Sequence, residues 1–412
     1  MRERDTSRSA DQRGEQGVTM ASRVPPQSGA AGQAPAEPLR LHKVIVHHVR
    51  LKMRTPFVAA WGRQEERDVI LVEAVAAGGE SPELAGWGEA PVLAQPVYNE
   101  ETAATAWHML NDFFIPQVLS GSIPHPRAAA ERLAVFHGHA MARAALEGAI
   151  WDLWARRSGV SLRQLLGGRQ ERVAAGAVVG VQDNVAATLR RVAHHVSRGY
   201  RRIKLKVYPG HDAAVVKAVR DEFGAIALAV DANGAYRLDD LPALQALDEF
   251  RLQMIEQPLP WDDLLGHARV QAQLATPICL DETVQTVAHA RQAIALGAGR
   301  IVNVKAGRLG GLSSALAVHD VCHAHGLPVW SGGLLETGVG RAHNIALASL
   351  PGFTLPGDLA PPGEYLEEDI VDPPIVLEPD GYLRVPDGPG IGVRVRRERL
   401  AAFTVRRCSH PA

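Results

Sequence analysis

Five short apolar runs between residues 202 and 305 each end in a charged residue. They are RIKLK at 202–206, IALAVD at 226–231, MIE at 254–256, ICLD at 278–281 and IVNVK at 301–305. The terminal residues Lys206, Asp231, Glu256, Asp281 and Lys305 follow one another at intervals of 25, 25, 25 and 24 residues. Such an interval accommodates one strand, one helix and two short connections. The stretch therefore predicts parallel βα units in which each charged residue ends a strand.

The same alternation continues on both sides of this stretch and gives eight predicted strands. They are Ala177–Val181, Arg202–Lys206, Ile226–Asp231, Met254–Glu256, Ile278–Asp281, Ile301–Lys305, Val329–Ser331 and Thr354–Leu355. Eight parallel strands favour a closed, TIM-like α/β barrel over an open, doubly wound sheet. In a barrel the carboxyl ends of all strands meet at one mouth, where active sites form.

The chain is predicted to have four parts. Residues 1–39 are rich in Arg, Gln, Ser, Gly and Pro without apolar periodicity, and we expect a disordered tail there. Residues 40–165 combine strand-like runs with helical patterns and predict an α+β domain. Residues 166–360 are assigned to the barrel, and residues 361–412 to a segment that returns to the first domain.

Composition limits the functional classes. The 412 residues carry a formal net charge of −1, so no strong field favours nucleic acid or an anionic membrane. No apolar run is long enough to predict a membrane helix, and the N-terminus lacks the apolar core of a signal peptide. The three cysteines, Cys279, Cys322 and Cys408, form no CxxC pair. We therefore expect a cytoplasmic protein without a disulfide framework.

Asp231, Glu256 and Asp281 end three adjacent predicted strands. Like charges that converge in a partly buried mouth repel one another, so three carboxylates require a cation among them. Oxygen ligands without His or Cys suit Mg²⁺, with Mn²⁺ as a substitute, better than zinc. Asn233, two residues beyond Asp231, is predicted to orient these ligands or, alternatively, to serve in a turn.

Lys206 and Lys305 flank the carboxylates on the first and last of these strands. A lysine near another cation and away from bulk water has a lowered pKa and can act as a base. Lys204 points to the same side of its strand as Lys206, and we expect it to supply that second cation. The pattern predicts removal of a proton next to a carboxylate, with a metal that stabilises the resulting enediolate.

Simpler explanations exist for each residue taken alone. A single strand-end aspartate is usually a helix cap or a surface charge, but five charges in a near-constant register disfavour that explanation. The run 307–311 is glycine-rich without matching GxGxxG, and a barrel-mouth loop explains it better than a dinucleotide site. His319, Cys322, His323 and His325 hint at a metal cluster, but an exposed helix face explains them better.

The chain resembles the o-succinylbenzoate synthase / N-acylamino acid racemase branch of the enolase superfamily over about residues 41–395. The superfamily motifs are IKLK at 203–206, VDAN at 230–233, IEQPL at 255–259, CLDE at 279–282, NVKAGR at 303–308 and GGLLETG at 332–338. Three further runs resemble this branch in particular, and they are FHGHAMA at 136–142, GRAHN at 340–344 and LPGD at 355–358.

This resemblance implies an α+β capping domain over a (β/α)7β barrel. It implies Lys206 as the base with Lys305 opposite it, and Asp231, Glu256 and Asp281 as ligands of Mg²⁺. It also implies contacts with a small carboxylate substrate from Arg308, Gly332, Gly333 and Phe57, the last in a mobile loop at 54–57. We further expect a homo-oligomer that binds neither nucleic acid nor membrane.

Two activities of this branch stay open. The leading hypothesis is the synthase reaction, a dehydration in menaquinone synthesis; the alternative is N-acylamino acid racemase, or one enzyme with both activities. WSGG at 330–333, in place of a histidine, disfavours mandelate-racemase-like chemistry. A single acid, Asp358, disfavours the free amine that dipeptide epimerases bind. Val178 and the run 359–362 depart from the family pattern and leave substrate specificity open.

Overall fold

The structure of the chain is a computed structural model, which describes residues 37–59, 62–77 and 84–412. Most of the predicted tail, residues 1–39, lies outside the described residues. Leu39 belongs to that prediction, yet it is buried, and its backbone exchanges hydrogen bonds of 2.8 and 2.7 Å with Ile123. The packed part of the chain therefore begins before Leu41, because the side chain at position 39 enters a hydrophobic cluster.

The N-terminal region combines an antiparallel sheet with helices. Its strands are β1 (Leu41–Ala59), β2 (Gly62–Ala76) and β3 (Ala85–Ala90). Its helices are α1 (Ala103–Met109), a π-helix (Leu110–Phe114), α2 (Ile115–Leu119), α3 (Pro126–Leu133), α4 (Ala140–Arg157) and α5 (Leu162–Leu166). One face of the sheet is buried because its apolar residues pack against these helices in a single cluster.

Helix α4 packs directly on β3 because two glycines of that strand leave room for it. A Cβ atom added to Gly86 would lie 2.2 Å from the backbone nitrogen of Leu153. One added to Gly88 would lie 2.0 Å from the carbonyl oxygen of Ala145. This close approach fixes α4, whose buried Glu147 accepts a 2.9 Å hydrogen bond from the backbone N–H of Ser313 in the second region.

The second region is a parallel sheet of seven strands in chain order. After a short strand β4 (Arg172–Ala174), its strands are β5 (Gly176–Val179), β6 (Arg202–Lys206), β7 (Leu228–Asp231), β8 (Ile255–Glu256), β9 (Ile278–Leu280), β10 (Ile301–Val304) and β11 (Val329–Ser331). The connecting helices are α6 (Val185–Ser197), α7 (Ala213–Phe223), α8 (Leu241–Asp248), α9 (Leu264–Gln271), α10 (Val287–Leu296), α11 (Ala306–Leu309), α12 (Leu312–Ala324) and α13 (Gly338–Ala348). Within the described ranges no helix has the length and apolar character needed to cross a membrane.

The sheet closes into a barrel through residues 353–358. Phe353 pairs in parallel with Val329 of β11. At the other edge, the backbone N–H of Gly176 in β5 donates to the carbonyl oxygen of Gly357 at 2.6 Å. The segment takes the place of the eighth strand predicted at Thr354–Leu355. The fold is therefore the predicted (β/α)7β barrel with an α+β capping region.

The C-terminal segment joins both regions. Its elements are β12 (Val371–Asp372), β13 (Tyr382–Arg384), β14 (Arg394–Val395), α14 (Arg397–Phe403) and β15 (Thr404–Pro411). Strand β13 pairs with β4 at the entry to the barrel, and β15 pairs with β1 of the capping sheet. The capping sheet thus has the order β15-β1-β2-β3.

The barrel interior has an apolar layer that adjoins a charged one. The apolar layer is a buried cluster of Ala229, Met254, Cys279, Ile301 and Trp330. Alternation along β6 directs Arg202, Lys204 and Lys206 to one side of the strand. The guanidinium of Arg202 lies 4.3 Å from the ring centre of Trp330, and the ammonium of Lys204 lies 4.8 Å from it. The cationic groups of Arg202 and Lys204 therefore lie over the face of the Trp330 ring, which attracts cations.

Candidate active site

The charges predicted to end successive strands lie side by side at the mouth of the barrel. Lys206, Asp231 and Glu256 are the last residues of β6, β7 and β8, while Asp281 and Lys305 directly follow β9 and β10. Lys206 pairs in register with Asp231, and Asp231 pairs with Glu256. All but Lys206 are buried. The five residues that are evenly spaced in the sequence are therefore neighbours in the folded chain.

Lys204 lies among carboxylates. Its Nζ is 2.5 Å from Oε2 of Glu256, 2.6 Å from Oδ2 of Asp358 and 3.2 Å from Oδ2 of Asp231. Burial lowers the pKa of Lys204, but the charges of these carboxylates, Asp358 foremost, outweigh burial and raise it. The structure therefore differs from the expectation of a second cation available to Lys206, because acids from three neighbouring strands neutralise the charge of Lys204.

Lys206 is held by two partners. Its Nζ lies 2.8 Å from Oδ2 of Asp231 and donates to the side-chain oxygen of Asn233. Asn233 has a φ of 45°, a conformation that asparagine tolerates better than most residues. Its backbone N–H donates to Oδ1 of Asp231 at 3.0 Å, and its side-chain amide donates to Glu282 at 2.9 Å. Asn233 therefore occupies a turn, and its hydrogen bonds orient Lys206, Asp231 and Glu282.

Lys305 is held on the other side of the carboxylates. Its Nζ is 2.6 Å from Oδ2 of Asp281 and 3.2 Å from the hydroxyl of Tyr98, whose ring centre is 4.9 Å away. Burial lowers the pKa of Lys305, but Tyr98, Glu282 and other acids outweigh burial and raise it. Tyr98 belongs to the loop after β3, in the capping region. Tyr98 was not predicted as a site residue, because motif spacing indicates strand ends and does not indicate loops of another region.

Arg308 does not take the position predicted for a substrate-binding residue. Its guanidinium forms a buried ion pair with Asp281, and it donates to the carbonyl oxygens of Val284 at 3.1 Å and Asn303 at 2.6 Å. A buried charge must be paired, and α11 carries Arg308 next to Asp281. In this structure Arg308 positions a carboxylate instead of facing the substrate.

A cavity of about 470 Å³ opens above these residues. Its floor includes Lys204, Lys206, Asp231, Asn233 and Lys305. The capping region contributes one wall, formed by Met53, Thr55, Pro56, Gln64, Leu93 and Tyr98. The barrel therefore supplies the charged groups, and both regions supply apolar lining.

The two predicted substrate-binding glycines have different surroundings. Gly333 lines the cavity, and a Cβ atom there would lie 2.4 Å from the carbonyl oxygen of Asp358. A Cβ atom on Gly332 would lie 2.5 Å from Cε of Lys305 and 2.3 Å from the amide oxygen of Asn303. The absence of a side chain at Gly332 therefore leaves room for the side chains of Lys305 and Asn303. Gly332 was predicted to contact the substrate, but in this structure it adjoins Lys305.

The segment 54–57, predicted as a mobile loop, belongs to strand β1. Phe57 pairs with Gln64 of β2, and its side chain lies outside what the structure describes. The backbone N–H of Arg54 donates to the carbonyl oxygen of Tyr365 at 2.9 Å. Because these backbone groups are paired, the segment is part of a hairpin whose Thr55 and Pro56 line the cavity.

Arg67 holds the loop between β11 and α13. It is fully buried and donates to the carbonyl oxygens of Pro91 at 2.6 Å, Leu334 at 2.8 Å and Leu335 at 3.1 Å. Leu334 and Leu335 line the cavity, and Leu335 has a φ of 56°. Arg67 belongs to β2, and Leu334 and Leu335 are more than 260 residues away from it in the chain. No local sequence pattern indicates partners at that distance.

The residues around His319 do not converge as a group of three metal ligands in the described ranges. His319 is buried, its Nε2 accepts a 3.2 Å hydrogen bond from the backbone N–H of Gly352, and its ring stacks on Phe353 at 5.5 Å. The expectation of an exposed helix face is therefore wrong for His319, which the segment that closes the barrel covers, and for Cys322, which is fully buried. It holds for His323 and His325.

The three strand-end carboxylates have the chemistry to hold a divalent cation. Their donor atoms are oxygens on adjacent strands, a set that suits Mg²⁺. Burial and the charge of Asp231 raise the pKa of Glu256. Burial raises the pKa of Asp231, but Lys206 and Lys204 outweigh it and lower that pKa. As the side chains stand, no three His, Cys, Asp or Glu residues in the described ranges converge closely enough to hold an ion. The chemistry of these oxygen donors fits such an ion.

Two family models together match most of the chain. Residues 41–167 match the family described as mandelate racemase / muconate lactonizing enzyme, N-terminal domain. Residues 187–399 match the family described as enolase C-terminal domain-like. The gap between the two matches covers residues 168–186, which include β4, β5 and the first residues of α6.

Individual proteins are similar over nearly their whole length. The chain is 47% identical to an o-succinylbenzoate synthase of Geobacillus stearothermophilus, over 89% of this chain and 96% of that protein. It is also 47% identical to an N-succinylamino acid racemase of Thermus thermophilus, over 87% of this chain and 95% of that protein. A crystal structure of an enolase superfamily member from Listeria innocua has a TM-score of 0.87 and 37% identity, covering 90% of this chain and 99% of that one.

Proposed function

We propose a function from one premise: the chain belongs to the o-succinylbenzoate synthase / N-succinylamino acid racemase family of the enolase superfamily. The chain is an o-succinylbenzoate synthase, a lyase that dehydrates a cyclohexadiene carboxylate. N-succinylamino acid racemase is the second candidate, and one protein with both activities is the third. The equal identity of 47% to a protein of each name supports keeping both reactions.

One observation carries this proposal. Lys206, Asp231, Glu256, Asp281 and Lys305 stand in strand order at one end of the barrel, with a lysine on each side of three carboxylates. Lys206, Asp231 and Lys305 line the cavity there. Both reactions begin with removal of a proton from the carbon next to a carboxylate, and they require a base and a means of stabilising negative charge. A protein that only bound a ligand would need neither both lysines nor the full set of carboxylates.

Asp231, Glu256 and Asp281 would hold a divalent cation, Mg²⁺ or its substitute Mn²⁺. Enolase superfamily sites combine a lysine or histidine base with such ions. The bound cation would neutralise the carboxylates and stabilise the negative charge that develops on the substrate carboxylate. Asn233 orients Asp231, and Arg308 orients Asp281, so each outer ligand has a fixed partner.

In the synthase reaction Lys206 removes the proton from the α-carbon. The electrons of the C–H bond move onto the substrate carboxylate, and they return to form the new double bond as the C–O bond to the neighbouring hydroxyl breaks. The ammonium of Lys206 then donates the same proton to the leaving hydroxide, so water departs from one face. Lys305 stays protonated, and its charge stabilises the electron-rich substrate.

The racemase reaction uses both lysines as acid and base. One lysine removes the α-proton from one face, and the other donates a proton to the opposite face. The specific observation that favours this second candidate is that Lys206 and Lys305 lie on opposite sides of the carboxylates in strand order, and both line the cavity.

The direct experiment supplies purified protein and Mg²⁺ with each substrate. Formation of o-succinylbenzoate and loss of optical rotation by an N-succinylamino acid report the two reactions separately. Activity in either assay that disappears on exhaustive chelation and returns with Mg²⁺ supports the proposal. Activity in neither assay, or full activity after chelation, overturns it.

The cellular setting is part of the proposal. The synthase reaction belongs to menaquinone biosynthesis. Cys279, Cys322 and Cys408 are all free, which supports a reducing, cytoplasmic compartment. We expect a homo-oligomer, and light scattering on the purified protein measures its mass.

A further inference from the structure

The cavity extends from the two lysines to a wall formed by β5 and α6. Helix α6 contributes Arg191 and His195, and β5 contributes Gly176 and Ala177, whose small size leaves the space open. Arg191 and His195 are four residues apart and therefore lie on one face of the helix. These two residues form what we call the α6 wall, and they line the same cavity as Lys206 and Lys305.

His195 is a buried polar side chain without a hydrogen-bond partner. It is 5% exposed, and neither of its ring nitrogens bonds to any residue that the structure describes. Its ring contacts Tyr200 edge-on, with ring centres 5.4 Å apart. Burial and the charge of Arg191 lower its pKa to about 3, so the neutral ring keeps one N–H to donate. Buried polar groups are nearly always paired, and an unpaired one in a cavity points to a ligand.

Arg191 gives the wall a positive charge. It is exposed and forms no ion pair or hydrogen bond with the described part of the chain. Glu364 lines the same part of the cavity, but Arg198 at 3.1 Å and the hydroxyl of Tyr200 at 2.7 Å already pair it. Asp183, in the loop before α6, is exposed to solvent. The guanidinium of Arg191 is thus available to an anion that enters the cavity.

We propose that the α6 wall binds the distal carboxylate of the substrate's succinyl group. This inference rests on the proposed function. An N-succinylamino acid and o-succinylbenzoate both carry two carboxylates, one near the reacting centre and one at the end of the succinyl chain. The strand-end residues serve the first carboxylate. The second carboxylate needs a separate cationic group. The guanidinium of Arg191 supplies several N–H donors for charge-assisted hydrogen bonds, and His195 supplies one further N–H.

The test compares two substrates that differ only in the distal carboxylate. An N-succinylamino acid and the N-acetyl derivative of the same amino acid share the α-carboxylate and the amide. Arg191→Gln should raise KM for the succinyl substrate roughly 10- to 100-fold, the usual effect of a lost charge-assisted hydrogen bond. The acetyl substrate has no distal carboxylate for Arg191 to bind, so the loss should be confined to the succinyl substrate. Arg191→Lys should recover part of the preference.

Arg190→Gln is the matched control, since Arg190 is the exposed neighbour on the same helix and does not line the cavity. His195→Phe should reduce the succinyl preference less than Arg191→Gln, because a neutral hydrogen bond is weaker than a charged one. An unchanged ratio of succinyl to acetyl kcat/KM in Arg191→Gln overturns the inference, as does an equal loss for both substrates. Wild-type protein that acts on no succinyl substrate contradicts the proposed function itself, so the two failures are distinguishable.

Discussion

The two ends of the cavity differ in how their charges are balanced. At the strand ends, Lys204, Lys206 and Lys305 each lie within 2.8 Å of a carboxylate oxygen. On the α6 wall, Arg191 and His195 bond to none of the described residues. The strand ends form a network whose members orient one another, whereas the α6 wall presents groups that no described residue pairs.

This difference distinguishes residues that take part in the reaction from residues that select the substrate. Groups that stabilise charge in a reaction must be oriented beforehand, because reorganisation during the reaction raises the barrier. Groups that select a substrate gain specificity when they lack a protein partner, since a wrong substrate leaves them unpaired. We therefore expect changes at the strand ends to reduce turnover for every substrate and changes on the α6 wall to reduce binding of some substrates.

The largest effect is expected for the two lysines. Lys206→Ala should reduce dehydration by roughly 10⁴-fold or more, beyond the effect of one general base, because the charge balance near the carboxylates also changes. Racemisation should stop in Lys206→Ala and in Lys305→Ala, since each face needs its own lysine. Proton exchange in deuterium oxide, followed by NMR, should persist for one enantiomer in each variant. Wild-type exchange of both enantiomers by both variants would show that the lysines are not the bases.

A somewhat smaller effect is expected for the central carboxylate. Glu256→Gln keeps the shape of the side chain but removes a charge from the proposed metal site, and it should reduce kcat by roughly 10³-fold. Calorimetry should also show weakened Mg²⁺ binding, independently of activity. Glu249→Gln, an exposed change on the same connection, is the control. Unaltered Mg²⁺ affinity in Glu256→Gln would contradict the assignment of Glu256 as a ligand.

A change at Arg67 tests whether the capping region shapes the cavity. Arg67→Gln removes donors from the carbonyl oxygens of Leu334 and Leu335, and the loop that carries them should lose its fixed conformation. We expect KM to rise roughly 10-fold for succinyl and acetyl substrates alike, and the free energy of unfolding to fall by about 2–4 kcal/mol. Equal KM values in variant and wild type would show that the loop does not depend on Arg67.

The smallest effect is expected for Glu89, and it concerns only the stability of the folded chain. Burial raises the pKa of Glu89 from 4.5 to about 7, although its carboxylate accepts hydrogen bonds from Thr337 and Gly340 at the start of α13. A carboxyl whose pKa is higher in the folded chain binds its proton more tightly there. Its contribution to stability is full below pH 4.5 and is lost as the pH rises to about 7.

Glu89→Gln removes this dependence. Its unfolding free energy should fall less than that of the wild type between pH 4.5 and 7, and the difference should reach at most about 3 kcal/mol. Denaturant titrations at several pH values measure it, with Glu249→Gln as the control. Parallel pH profiles for variant and wild type would contradict the raised pKa of Glu89.

Residues that repeat with the βα unit were predictable, and residues that meet through tertiary contacts were not. The spacing of Lys206, Asp231, Glu256, Asp281 and Lys305 predicted their adjacency because successive parallel strands are neighbours. The positions of Lys204 and Arg308 were predictable, but the partners of their side chains were not. A buried cationic side chain must be paired with an acid. Which acid lies close enough depends on how strands and helices from distant parts of the chain pack together.

By itself the sequence determined the barrel, the strand-end charges and the family to which they belong, because these depend on periodicity and on short motifs. The tertiary structure alone decided that Tyr98 and Arg67 reach the site from the capping region. It alone decided that Arg308 turns to Asp281 and that Arg191 and His195 share the cavity with the lysines. These contacts join residues that are distant in the chain, and no local pattern records them because only the packing of the whole chain brings the residues together.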